Sequence, residues 1–212
     1  MVGVSFLLPI EFDLVATFLG ALTGVWAATR RGYDVVGALM LAIVSAVGGG
    51  LLRDAVFIAQ IPVVMQDARY LWAILAGLGV GILAFRWSKH VAGLFLYTDA
   101  LAMGVYGVYG VNRALIAGLT PEASVLVGLC NAVGGGLIRD VLVREEPLMF
   151  KPGQLYSIAA LAGCILFVVL SNRLGVDDQH AAWIAIAATM TLRILAIRFN
   201  WTTHAVASWW RR

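Results

Sequence analysis

Apolar residues run in long unbroken blocks along almost the whole chain, and the polar interruptions between blocks are only a few residues long. A helix that crosses a bilayer takes about 20 consecutive, mostly apolar residues. By that measure the sequence predicts seven spans, at 9–29, 33–52, 69–86, 91–112, 120–138, 154–172 and 180–198. Connections such as Arg30-Arg31-Gly32 and Trp87-Ser88-Lys89-His90 leave no room for a soluble domain. The predicted fold class is an all-α integral membrane protein with seven transmembrane helices.

Composition agrees with the pattern. The 212 residues are 61% hydrophobic and 13% charged, with a mean hydropathy of +0.90, whereas soluble domains carry about 45–50% apolar and about 25% charged residues. The N-terminal Met1-Val-Gly-Val-Ser-Phe-Leu-Leu-Pro has no basic start and no small-x-small cleavage site, so it reads as the approach to the first span. The charge changes the picture by giving an orientation. With the N-terminus outside, the outer connections hold four basic residues, Arg53, Arg69, Arg113 and Arg173, and the inner ones hold the other eleven of the 15. Cytoplasmic loops collect Lys and Arg, so an outer N-terminus and a cytoplasmic C-terminus are expected. Residues 199–212, with Trp201, Trp209, Trp210 and two terminal arginines, have the composition of an interfacial cytoplasmic tail.

One seven-residue stretch occurs twice. Gly48-Gly49-Gly50-Leu51-Leu52-Arg53-Asp54 recurs as Gly134-Gly135-Gly136-Leu137-Ile138-Arg139-Asp140, 86 positions later. Sliding the chain by 86 pairs residues 13–83 with 99–169, and 19 of those 71 pairs are identical, against about six expected by chance. The matches include Asp13 with Asp99, Gly32 with Gly118 and Tyr70 with Tyr156. The predicted organisation is a three-helix repeat over 9–86, a second over 91–172, a seventh helix at 180–198 and the tail. An odd number of spans per unit makes the second copy inverted.

Three glycines in a row cost about 1 kcal/mol each relative to alanine inside a helix, so helices 2 and 5 are expected to break there. Broken helices within inverted repeats present backbone carbonyls to a solute path, and such oxygens replace part of a cation's hydration shell. Gly48, Gly49, Gly50, Gly134, Gly135 and Gly136 are therefore candidate pore residues. Ser45 and Asn131, three residues before each triplet, either line the same path or bond one helix to another.

Charges inside apolar spans are costly and call for partners. Asp54 and Asp140 are expected in the first turn of a resuming helix, where the dipole favours them. Asp13 and Asp99 lie on the same sides as Arg53 and Arg139, which predicts the pairs Asp13–Arg53 and Asp99–Arg139. Such ions either gate a path or only pin helices in place. Gly20-x-x-x-Gly24 and Gly77-x-Gly79-x-Gly81 read as close-packing faces. Cys130 and Cys164 sit in apolar runs without metal-ligand spacing and read as buried hydrophobes. No metal site or nucleic-acid partner is expected, and the spans contain no GxSxG, HExxH or Cys/His constellation of an enzyme.

Two three-helix inverted repeats and a seventh helix, with Gly-Gly-Gly-x-x-Arg-Asp ending helices 2 and 5, resemble the prokaryotic branch of the trimeric intracellular cation (TRIC) channel family. The resemblance covers about residues 9–198. It implies a homotrimer in the bilayer of a prokaryotic inner membrane, without cofactors. Each protomer would hold its own pore, bounded by kinked helices 2 and 5, and pass monovalent cations, with K+ the expected ion. Carried over by position, the motif residues are the two glycine triplets with Arg53, Asp54, Arg139 and Asp140. The Lys-Glu-Val pattern of the animal branch is absent at the first triplet, so lipid regulation and Ca2+-release physiology are not implied. An alternating-access carrier of a small solute such as glycine fits the inverted repeats equally well.

Overall fold

The structure is a computed structural model that describes residues 7–85, 91–151 and 155–201. Its helices are α1 (Ile10–Arg30), α2 (Val35–Leu51), α3 (Arg69–Phe85), α4 (Val91–Ile116), α5 (Pro121–Leu142), α6 (Tyr156–Val168) and α7 (Asp178–Arg198). A π-helical segment, Leu52–Phe57, prolongs α2, and another, Val169–Arg173, prolongs α6. Six of these helical runs are long and apolar enough to cross a membrane, and Arg69–Phe85 is a shorter apolar helix. Arg86, the loop through His90 and the tail from Thr202 onward, all named in the sequence reading, lie outside the described residues.

Local chemistry sets the helix ends. Asp34 caps α2 by accepting the Gly37 N–H at 2.8 Å, and Thr120 caps α5 ahead of Pro121, which has no N–H to satisfy. After α1 and α4 the chain turns through Gly32 (φ 72°) and Gly118 (φ 88°), a repeat-matched pair in the left-handed region that favours glycine. The next N–H returns to the helix in both places, Tyr33 to the Ala28 carbonyl and Leu119 to that of Ala114.

Asp177 caps α7, accepting the N–H groups of Gln179 and His180. The hydrogen bond to the His180 ring, then that to its N–H, holds the Asp177 carboxyl below the usual carboxylate range. A depressed folded-state pKa adds stability above the unfolded value that is lost as pH falls through the folded one. Asp177→Ala is therefore expected to destabilise α7 near neutral pH. In thermal melts recorded across pH, the difference from the parent should vanish in strong acid.

The most enclosed helices are α1 and α4. Helix α1 packs on α2, α3 and α4, while α4 packs on α5, α6 and α7. Leu71, Trp72, Leu83, Leu126 and Trp183 point outward, as suits side chains facing lipid. Gly20 and Gly24 bring α1 against the backbone of Ala46 and Leu41 on α2, and Gly77 and Gly81 bring α3 against Ala21 and Val25 on α1. Gly79 faces open space instead. Both cysteines are free thiols, Cys164 buried and Cys130 partly so.

The expected breaks at the glycine triplets do not occur. Helix α2 runs through Gly48–Gly50, and α5 runs from Pro121 to Leu142 without interruption. The carbonyls of Gly48 and Gly49 are not released, because both accept the Leu52 N–H. The reason lies in packing across the two helices. A Cβ on Gly49 would strike the Asn131 carbonyl oxygen, one on Gly135 would strike that of Ser45, and one on Gly48 would lie 3.4 Å from the Gly135 Cα. The triplets permit direct backbone contact between α2 and α5, and that contact offsets their poor helix propensity. Asp54 and Asp140 consequently lie at helix C-terminal ends, where the dipole opposes a negative charge, rather than in a first turn.

Candidate functional site

Each Arg-Asp motif forms a buried ion cluster. On α2 and its π-helical extension, Arg53 Nε donates to Asp54 Oδ1 at 2.7 Å and Nη2 donates to Oδ2 at 2.8 Å, a two-pronged pairing. The same guanidinium reaches Asp13 on α1, with Nη2 to Oδ2 at 3.2 Å. The Tyr70 hydroxyl of α3 donates to that oxygen at 2.7 Å. Arg113 on α4 stands 3.7 Å from Asp54, and the Tyr109 ring lies 5.1 Å from the Arg53 guanidinium. Arg53, Asp13 and Asp54 are at most 2% exposed.

The second cluster repeats the first at an offset of 86. Arg139 Nε donates to Asp140 Oδ1 at 2.9 Å and Nη1 donates to Asp99 Oδ1 at 3.3 Å, while the Tyr156 hydroxyl is hydrogen-bonded to Asp99. Both predicted long-range pairs, Asp13–Arg53 and Asp99–Arg139, are therefore formed. The copies differ in their cationic neighbours. Arg193 of α7 lies over the Tyr156 ring at 4.9 Å, so a second buried guanidinium joins the Asp99 side.

Backbone groups complete the coordination of the helix-end carboxylates. Val63 N–H donates to Asp54 Oδ2 at 3.0 Å, and Leu148 N–H donates to Asp140 Oδ2 at 3.3 Å. Each motif aspartate thus ties down the loop that follows its helix. Together with the adjacent arginine, this compensates for an unfavourable position at the dipole.

A small cavity adjoins each cluster. The first, about 10 Å³, is bordered by Asp13, Thr17, Gly50, Arg53, Asp54 and Tyr70. The second, about 20 Å³, is bordered by Thr23, Ser45, Asp99, Gly135, Arg139 and Tyr156. Since a water needs about 10–15 Å³ measured in this way, the second has room for one and the first is at that limit. Gly50, Gly135, Gly136 and Ser45 are on these walls. Ser45 Oγ also lies 3.1 Å from Thr23 Oγ1 on α1, while Asn131 Nδ2 donates to the Tyr106 carbonyl on α4 at 2.6 Å. Gly48, Gly49 and Gly134 lie instead in the α2–α5 contact.

Several cluster residues escaped the sequence reading. Tyr70 and Tyr156 carried a usable signal, since they are an identical repeat pair of polar aromatics in apolar runs. Arg193 and Tyr106 carried none, because Arg193 lies beyond the repeat and Tyr106 is matched with Gly20.

A family model described as glycine transporter matches residues 11–86 and 96–172. The UPF0126 membrane protein of Streptomyces coelicolor is 37% identical over 195 residues, covering 90% of this chain and 87% of its own. That of Vibrio cholerae is 32% identical over 189 residues, covering 89% and 78%. The UPF0126 inner membrane protein YadS of Escherichia coli is 31% identical over 189 residues, covering 89% and 91%. Among solved structures, the TRIC trimeric intracellular cation channel orthologue from Rhodobacter sphaeroides superposes with a TM-score of 0.81 at 28% identity, over 90% of this chain and 97% of that one. A structure described under conductance through TRIC cation channels gives 0.79 at 27% identity, over 94% and 98%. These structural neighbours are channels rather than enzymes. This multi-pass membrane protein belongs to the glycine transporter family, alongside the bacterial UPF0126 proteins.

Proposed function

We propose that the protein is a monovalent cation channel, with K+ the expected ion, that works as a homotrimer with one pore in each protomer. The carrying observation is the pair of cavities within one helical bundle, each walled in part by a buried arginine–carboxylate cluster. The wall of the first holds two carboxylates against one guanidinium, with the Thr17 and Tyr70 hydroxyls beside them. Oxygen groups of this kind replace the hydration shell of a cation. The path runs among α1, α2, α4 and α5, with side chains rather than released glycine carbonyls as its polar surface. The TRIC channel structures support the same reading by likeness of fold and sequence. The charge asymmetry of the loops supports an orientation with the N-terminus outside and the C-terminus in the cytoplasm of a prokaryotic cell.

The family description favours a second reading, an alternating-access carrier for glycine. Purified protein in planar bilayers separates the two. Unitary K+ currents are expected; saturable glycine uptake into proteoliposomes without unitary steps would replace the channel by the carrier. Chemical cross-linking of the reconstituted protein should stop at a three-subunit band.

A further inference from the structure

The geometry points to Tyr106 as the barrier between the two cavities, a side chain that must swing aside before solute can pass from one to the other. This rests on reading the cavities as parts of one solute path. Among the described residues Tyr106 alone is common to both linings, and it is 6% exposed. Its backbone is tethered, because Asn131 Nδ2 on α5 donates to its carbonyl at 2.6 Å. The ring instead reaches away from α4, and its hydroxyl donates to the Ala46 carbonyl on α2 and shares a hydrogen bond with Thr17 on α1. Few interactions at the ring's tip hold it across the path.

The repeat explains how the space for this ring arises. The counterpart of Tyr106 is Gly20, on α1. A Cβ on Gly20 would lie 3.1 Å from the Tyr106 hydroxyl oxygen and 2.9 Å from the Ala46 Cα. One copy of the repeat thus supplies a bulky aromatic where the other supplies no side chain. The two ion clusters are duplicated, but the element between them is single. A ring fixed at its backbone and latched at its hydroxyl can move by side-chain rotation, without disturbing the α2–α5 backbone contact.

Two variants test this in protein reconstituted in liposomes and planar bilayers. Tyr106→Phe keeps the ring and loses the latch, and an increase of about fivefold in open probability is expected, the ratio equivalent to one hydrogen bond. Tyr106→Ala removes the barrier. Its readout is Ser45→Cys in the second cavity, labelled by a membrane-impermeant cationic methanethiosulfonate applied to one face at a time. Rates are taken above those of the parent, which has only Cys130 and Cys164. Labelling from a single face is expected with Tyr106 present, and from both faces, at least tenfold faster on the new one, with Tyr106→Ala. If Tyr106→Ala does not fold, the smaller acceleration with Tyr106→Phe decides. Labelling that stays one-sided in a folded variant overturns the proposal. Thiol labelling needs no current, so a failure of the parent to conduct sinks the channel reading while leaving the barrier testable.

Discussion

Gly49→Ala is expected to lower the melting temperature of the detergent-solubilised protein by about 5–10 °C, whereas Gly50→Ala should leave it unchanged or raise it slightly. On helix propensity alone both would stabilise, by about 1 kcal/mol each. The surroundings separate them. A Cβ on Gly49 runs into the Asn131 carbonyl oxygen, a backbone atom of a packed helix that cannot rotate away. On Gly50 the nearest neighbour is Arg53 Nη2 at 3.8 Å, ordinary contact distance. Overpacking costs about 1–3 kcal/mol in well-packed interiors, and here the obstacle is main chain, so the upper end is expected. Gly135→Ala should behave as Gly49→Ala does, because its Cβ would meet the Ser45 carbonyl. Differential scanning fluorimetry reads all three. Equal shifts for Gly49→Ala and Gly50→Ala would show that the triplet serves backbone freedom rather than helix contact.

Arg53→Ala is expected to lose more stability than any other single change at the first cluster, about 3–5 kcal/mol, leaving little monodisperse protein on size-exclusion chromatography. The guanidinium is the shared partner of Asp13 and Asp54. Without it Asp13 keeps the Tyr70 hydroxyl, and Asp54 keeps the Val63 N–H and an arginine 3.7 Å away. Neither set replaces a bridging cation within a span. Asp13→Asn should be far milder, since Arg53 retains its two-pronged pairing with Asp54. Arg53→Lys should resemble the alanine variant more than the parent, because an ammonium lacks the fork that spans both carboxylates. Combining Asp13→Ala with Arg53→Ala should cost less than the sum of the single changes, as expected for groups in one network. Strict additivity would mean that the Asp13–Arg53 contact contributes nothing.

The span pattern could be read from hydrophobicity because a bilayer imposes nearly the same length on every helix. Helix ends were less legible. Helix α4 runs to Ile116 rather than 112, and α5 to Leu142 rather than 138, since Arg113 and Arg139 near those ends pair with aspartates instead of ending the helix. The long-range ion pairs were legible for a different reason. Asp13 and Arg53 recur together as Asp99 and Arg139, and an ion in lipid must find a partner.

The glycine triplets mark the boundary between the two kinds of information. Their place, their duplication and the charges beside them are properties of the chain alone, because repetition and composition need no coordinates. Whether three glycines open a helix or let two helices touch depends on what approaches them, and the answer lies 86 residues away in the other triplet and in the carbonyls of Ser45 and Asn131. Tyr106 belongs wholly to the second kind. Its sequence position is an ordinary apolar run opposite a glycine in the repeat. Only the folded bundle puts its ring between the two cavities, because a side chain's role as a barrier is set by the empty space on either side of it, and that space exists only once the helices have packed.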